Sequence, residues 1–227
     1  MPDYSQLSAL LPDVPVCILP ETASTNSDAR ALLLRGGAHG SLVVAARQTS
    51  GRGRMGRAFC SEEGGLYMSL LLRGAWPAGQ LTTLCAVAVC RAVERLTQLH
   101  LDIKWVNDAQ LDGKKVCGIL TEMNAQFDYI NHIVVGIGIN VHNESFPEEI
   151  SQMASSLMIE AGGKRFHRAQ IIAETMSYFE QYYDTFLKTQ DLSALVREYD
   201  ELLVNRNKSV RVLDPKETFD GKAIGIT

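Results

Sequence analysis

From Gln48 to Ala58 the chain reads Gln-Thr-Ser-Gly-Arg-Gly-Arg-Met-Gly-Arg-Ala, with Arg52, Arg54 and Arg57 alternating with Gly51, Gly53 and Gly56. Glycine admits positive φ and lets a ligand approach backbone N–H groups closely. Arginine adds a permanent charge on a planar fork that meets phosphate or carboxylate bidentately. Together they describe a loop that wraps an anion, with amides and guanidinium groups aimed at one ligand. By itself the pattern also fits an arginine–glycine segment that coats RNA, or a solvated surface loop.

Three further stretches carry groups of the same kind. Upstream lies Glu21-Thr22-Ala23-Ser24-Thr25-Asn26, a run of short polar side chains. Downstream, Lys104-Trp105-Val106-Asn107-Asp108 precedes Lys115-Val116-Cys117-Gly118-Ile119-Leu120, and then comes Gly136-Ile137-Gly138-Ile139-Asn140-Val141. Lys115 offers a compact charge able to follow developing negative charge; it is equally read as a solvated lysine after a hairpin turn. Trp105 is read either as core or as a cover for a ligand.

In this order and spacing, the four stretches closely resemble the bacterial biotin protein ligases, from about Glu21 to the last residue, in a short form without an N-terminal DNA-binding domain. The resemblance implies an α+β fold: a mixed β-sheet catalytic domain packed with helices, plus a partial SH3-like C-terminal segment. The activity implied is that of a biotin–[biotin carboxyl carrier protein] ligase, which converts ATP to AMP and diphosphate. Biotin carboxylate attacks the α-phosphorus of ATP to give biotinyl-5′-AMP, and a lysine of the carrier domain of a biotin-dependent carboxylase then takes the biotinyl group. Such chemistry needs positioning, charge neutralisation and exclusion of water more than a protein nucleophile.

The same resemblance distributes roles. Ser24, Thr25, Asn26, Gln48, Arg52, Gly53, Arg54 and Lys115 bind biotin, with Gln48 suited to the ureido group because its amide donates and accepts. Arg52, Arg54, Arg57, Phe59, Asn107, Lys115 and Asn140 hold ATP or the adenylate. Lys115, Arg54 and Asp108 are the catalytic set. Asp108 has alternative roles, orienting Lys115 or magnesium, or accepting a proton from the incoming lysine. Asn107 and Asn140 have the alternative reading of turn and strand-end caps. No dedicated protein metal site is expected; magnesium arrives with ATP, near Asp108. The family loop usually ends in tryptophan where this chain has Phe59, and the family has proline where this chain has Val106. Two other functions compete: a lipoate protein ligase-type acyl-adenylate enzyme, and a non-catalytic sensor of biotinyl-adenylate.

The whole chain bounds these readings. Its 227 residues fit one good-sized domain, or one with a small appendage. A composition 46% apolar and 21% charged is ordinary for a globular protein. The formal net charge of −4 argues against a dedicated nucleic-acid binder, so the positive charge of the arginine loop is local and suits a small anionic ligand. Cys17, Cys60, Cys85, Cys90 and Cys117 are odd in number and form no CxxC pair, which reads as buried free thiols in a reducing cytosol. No secretory signal is visible and no apolar run approaches the ~18 residues of a membrane span. The expectation is a cytoplasmic protein without membrane or nucleic-acid partners, with a homodimer left open.

The elements that must position these groups follow from periodicity. Thr25-Asn26-Ser27-Asp28 reads as a capping box opening a helix that Gly36-Gly37 ends. Strands are expected at Ser41–Ala46, Leu66–Leu72, Ile103–Val106, Lys115–Met123 and Tyr129–Val141, with Asp112-Gly113 as a hairpin turn. Helices are expected at Gln80–Gln98 and His167–Thr189, from Pro147, and around Leu192–Leu202. Residues 1–20, with Pro2, Pro12, Pro15 and Pro20, are too short and proline-broken for a helix-turn-helix. The division expected is a catalytic domain over 1–204 and, over 205–227, the first strands of an SH3-like barrel at Ser209–Leu213 and Thr218–Ile226. With the sequence stopping at Thr227, either the chain is truncated or the protein does without the rest of the barrel.

Overall fold

Leu66–Leu72 forms a strand buried along its whole length, as happens in a sheet covered on both faces. In the computed structural model, which describes residues 4–74, 78–126, 129–213 and 217–226, it is β3 of a seven-stranded sheet. The others are β1 (Val16–Leu19), β2 (Leu42–Ala45), β4 (Asp102–Lys104), β5 (Asp108–Leu111), β6 (Lys114–Gln126) and β7 (Tyr129–Ile139). Their spatial order is β1-β2-β3-β7-β6-β5-β4; β1 and β2 run parallel and all other neighbours antiparallel. Helices α1 (Leu7–Leu10), α2 (Thr25–Leu34), α3 (Ala78–Thr97), α4 (Leu157–Glu160), α5 (Arg168–Thr189) and α6 (Val196–Leu202) complete this α+β unit. A separate hairpin, β8 (Ser209–Leu213) with β9 (Thr218–Lys222), follows it.

The period of two along a strand sorts the sheet into unlike faces. Leu66, Met68, Leu70 and Leu72 of β3 and Ile133, Val135, Ile137 and Ile139 of β7 join the main core, beneath α3 and α5. On the opposite face Val43, Leu71 and Val134 pack on Ala29 of α2, a smaller cluster. Farther along that face the residues shrink: Ser69 pairs with Gly136, Tyr67 with Gly138, and Gly118 with Gly138 in turn. Small residues on a covered face leave room, and the candidate site occupies it.

Several elements differ from the sequence expectation. Asp112-Gly113 does make the hairpin turn, with φ of 46° and 82°, but it joins β6 to β5, a strand absent from the periodicity reading. Asp108-Ala109-Gln110-Leu111 has no β-branched residue to announce it. The strand expected over Ile103–Val106 stops at Lys104, because Trp105 to Asn107 turn the chain back into β5. Pro147 opens only a series of turns, and the helix begins later at Leu157, capped by Ser156 Oγ accepting from Ile159 N–H at 3.2 Å. The proline-broken start holds α1 and the edge strand β1. The terminal strand ends at Lys222, not Ile226; Pro2 and Thr227 lie outside the described residues.

The thiols are free, and Cys85, Cys90 and Cys117 are buried, but Cys17 is exposed on edge strand β1 and Cys60 half-buried. Burial pushes the Cys117 thiol up to about 12 and raises Cys85 and Cys90 as well, so these three stay protonated and unreactive near neutral pH. A thiol reagent added to the native protein at pH 8 is expected to label Cys17 first and Cys60 more slowly. The remaining three should react only after unfolding, and fast labelling of all five by mass spectrometry would contradict this burial.

Candidate active site

Helix α2 begins where Ser24 turns from extended backbone into the helix, and Ser24, Thr25 and Asn26 are all buried. The expected capping box does not form. Ser24 is the cap residue and its side chain makes no capping bond; Asp28 instead accepts a short bond from Thr22 Oγ1. The orphan N–H of Thr25 finds its acceptor in Gln48 Oε1 at 2.8 Å, and Gln48 Nε2 donates to Ser61 Oγ at 2.9 Å. Gln48 is thereby a brace from another segment, holding the helix start to the base of the arginine loop.

Asn26 is held on three sides. Its Nδ2 donates to Glu122 Oε2 at 2.7 Å and to Leu120 O at 3.4 Å, while Oδ1 accepts from Ser69 Oγ at 2.6 Å. The floor beneath it must be glycine, because a Cβ on Gly136 would overlap Asn26 Oδ1.

The arginine loop folds back on itself. Gly53 N–H donates to Arg57 O at 2.7 Å and Phe59 N–H to Gly51 O at 2.9 Å. Met55 and Gly56 turn the tip with φ of 58° and 73°. This tight turn sends the arginines different ways. Arg52 points inward, with Nη2 3.1 Å from Ser27 Oγ and 3.6 Å from Glu122 Oε2. Arg57 lines a second cleft, and Arg54 is among the lining residues of neither. Phe59 lies flat over the strand glycines: Cβ atoms on Gly138 and Gly118 would come to 2.5 and 3.0 Å of its ring.

Asp108 at the start of β5 and Lys115 on β6 meet across the hairpin, Oδ1 to Nζ, at 2.7 Å. Lys115 Nζ also stands 5.6 Å from the centre of the Phe59 ring. Lys115 and Phe59 form the partition between two clefts. The first, about 430 Å³ of empty space with its open mouth included, is lined by Ser24, Thr25, Asn26, Gln48, Arg52, Gly53, Asn107 and the strand glycines. The second, about 1010 Å³ on the same measure, is lined by Arg57, Asp108, Gln110, Asn140, Phe146, Ile150 and Met153. An anion spanning both would pass beside the Lys115 charge.

Other expected site residues have structural partners as well as a place on a cleft wall. Asn107 Nδ2 donates to Ile119 O at 3.2 Å, and Asn140 Nδ2 to Ser155 O at 3.0 Å. Both fasten neighbouring segments, which fits the capping alternative. Trp105 is neither core nor part of the first cleft; it is 62% exposed and faces the β8–β9 hairpin. Among the described residues no three His, Cys, Asp or Glu side chains gather as a metal site. Asp108 is the one carboxylate among the residues lining the second cleft.

Two contributors escaped the sequence reading, Ser69 and Glu122. Ser69 had a signal: it is the one small polar side chain in a seven-residue leucine-rich strand. Glu122 had none, since a glutamate near the middle of a long strand reads as solvent-facing.

A profile of the biotin/lipoate A/B protein ligase family matches residues 20–140. The chain is 40% identical over 210 residues to the bifunctional ligase/repressor BirA of Bacillus spizizenii, a match covering 90% of this chain and 64% of that protein. It therefore spans less than two thirds of that relative's length. It is 41% identical over 130 residues to the biotin–[acetyl-CoA-carboxylase] ligase of Paracoccus denitrificans, covering 55% of this chain and 53% of the relative. Among solved structures, the biotin protein ligase from Aquifex aeolicus in complex with biotin and ATP superimposes with a TM-score of 0.83 at 30% identity, covering 94% of this chain and 88% of the other.

Proposed function

The chain belongs to the biotin/lipoate A/B protein ligase family, and from that premise we propose that it is a biotin protein ligase, forming biotinyl-5′-AMP from biotin and ATP and passing the biotinyl group to a lysine of a carboxylase's biotin carrier domain. The observation that carries this reading is the Lys115–Asp108 pair, 2.7 Å apart and standing with Phe59 between the two clefts. Biotin occupies the cleft at the start of α2, and the nucleotide the cleft beside Arg57 and Asn140. The two reacting groups then meet at Lys115.

The biotin carboxylate attacks the α-phosphorus and pyrophosphate leaves. Lys115 neutralises charge shared by the carboxylate and the α-phosphate as it builds, and Asp108 keeps Nζ on that line. In the second half an acceptor amine attacks the acyl carbon and AMP leaves. Arg52 and Arg57, on the walls of the two clefts, supply counter-charge for the phosphate, and when the loop closes Arg54 joins them while Phe59 with Met55 covers the anhydride against water. Magnesium bound to the phosphates beside Asp108 would spread their charge. What supports biotin over lipoate is the naming of the relatives above and the arginine loop itself. The catalytic unit is assigned to residues 1–204, and residues 205–227 to a partial SH3-like segment.

Pyrophosphate release on mixing with biotin and ATP–magnesium tests the reading; release with lipoate but not biotin, or with neither, would reject it. The loop gives a second test. Arg54 and Arg57 leave a glycine-rich turn whose tip residue Met55 is 86% exposed, while Arg52 points inward to Glu122. A phosphate supplies further counter-charge and should order the loop over the ligand. Limited trypsin digestion is expected to cut after these arginines in the free protein and to slow several-fold with biotin and ATP–magnesium. Equal rates with and without ligands would show that the loop is not the lid.

A further inference from the structure

Glu122 sits outside every motif that carries the chemistry, yet three side chains from two elements of the site converge on it. Its carboxylate accepts from Asn26 Nδ2 at 2.7 Å and pairs with Arg52 Nη2 at 3.6 Å and Arg30 Nη2 at 3.4 Å. Asn26 lies at the start of α2, Arg30 one turn later, and Arg52 in the arginine loop. The side chain is about a quarter exposed, so these contacts lie at the cleft wall.

The polarity of the surrounding bonds depends on this carboxylate. A carboxylate between two guanidinium groups only accepts, so the Asn26 amide must present Nδ2 to it and Oδ1 the other way. The Leu120 carbonyl, also acceptor only, enforces the same orientation. Ser69 Oγ lies 2.6 Å from Asn26 Oδ1 and 2.7 Å from Thr25 Oγ1. A hydroxyl has one proton. Since Asn26 Oδ1 cannot donate, Ser69 is the donor to it, while the Thr25 hydroxyl has an acceptor of its own in Gln48 Oε1 at 3.1 Å. The network then runs from Ser69 to Asn26 to Glu122, with both the N–H and the hydroxyl of Thr25 tied off by Gln48 Oε1. All of its members but Glu122 are buried to 4% exposure or less, apart from the bracing Gln48, where an amide in the wrong orientation would leave polar groups unpaired.

We propose that Glu122 is a positioning residue for the biotin cleft, fixing the orientation of the Asn26 amide and holding Arg52 against the start of α2, so that the donors and acceptors facing the ligand have one arrangement. The inference rests on the biotin-ligase reading, because it takes Asn26 and Arg52 as ligand contacts. Glutamine at this position keeps the shape but can donate as well as accept, and it no longer attracts Arg52. The Asn26 amide is then oriented chiefly by the longer 3.4 Å bond to Leu120 O, and a fraction of molecules present the wrong polarity to biotin.

Calorimetric titration of biotin into the wild type, Glu122→Gln, Asn26→Ala and the double variant tests this. Glu122→Gln is expected to weaken biotin binding roughly 10- to 100-fold, to raise the KM for biotin far more than that for ATP, and to leave the thermal midpoint within a few degrees. In the Asn26→Ala background the same substitution should cost much less, since the group it orients is gone. Unchanged biotin affinity in Glu122→Gln, or full additivity in the double variant, would overturn the inference while wild-type binding still upholds the function. A wild type that binds no biotin would overturn both, and so the two failures are distinguishable. Loss of folding in Glu122→Gln, seen as a collapsed thermal midpoint, would assign Glu122 to stability and reject the positioning role.

Discussion

Lys115→Ala is expected to slow formation of the adenylate roughly 100- to 1,000-fold, the effect of deleting one preorganised electrostatic group from a reacting centre. Biotin affinity should fall far less. The reason lies in geometry: Nζ is 2.7 Å from Asp108, and Lys115 stands at the junction of the two clefts as a wall of both. Its charge counts most when the carboxylate and α-phosphate are forced together, a state reached only on the way to reaction. Single-turnover pyrophosphate release separates the two effects, since it follows the first half-reaction with biotin and ATP saturating. Equal rates in wild type and variant would remove Lys115 from the mechanism. Asp108→Asn should show a smaller loss in the same assay, because it leaves the ammonium in place but unaimed.

A second large effect is expected from adding one methyl group. In Gly136→Ala the new Cβ would overlap Asn26 Oδ1, and Asn26 cannot withdraw because Ser69, Leu120 and Glu122 hold it. Forcing it out combines overpacking with the loss of buried hydrogen bonds, each about 1–3 kcal/mol, so biotin affinity should drop by roughly two orders of magnitude. Gly221→Ala is the matched control: it lies in the terminal hairpin with nothing within 4 Å of the added atom, and biotin binding there should match wild type. If Gly136→Ala also binds biotin like wild type, Asn26 is not a wall of the biotin cleft.

The parts of the site that could be read directly are those in which neighbours in the chain do the work together. The arginine loop is one: its glycines announced a turn, and Gly56 takes it with φ of 73°, although the expectation that Arg52, Arg54 and Arg57 aim at one ligand gives way to a turn that sends them different ways. Gly136 and Gly138 were legible as places of close approach because glycine weakens a strand without such a reason. The long strands β3, β6 and β7 and the amphipathic α5 were visible from their periods, and Asp112-Gly113 from the positive φ that its turn requires. An element without a period or a β-branched residue, such as β5, gave no comparable signal.

By itself, then, the sequence determined which groups could neutralise an anion, where glycine would let a ligand in, and that Lys115 follows a hairpin turn. Only the tertiary structure decided which of those groups meet. Asn26 and Glu122 are 96 residues apart, Thr25 and Ser69 44 apart, and their contact depends on the order and register in which β3, β7 and β6 lie side by side. A strand's period says which residues share a face but not which strand lies next to it, and a slip of one residue would turn Ser69, Gly136 and Glu122 to the opposite face. Register is set by the summed packing of both faces of the sheet. That sum, not any motif, placed an unremarked glutamate and serine beside the residues the motifs had named.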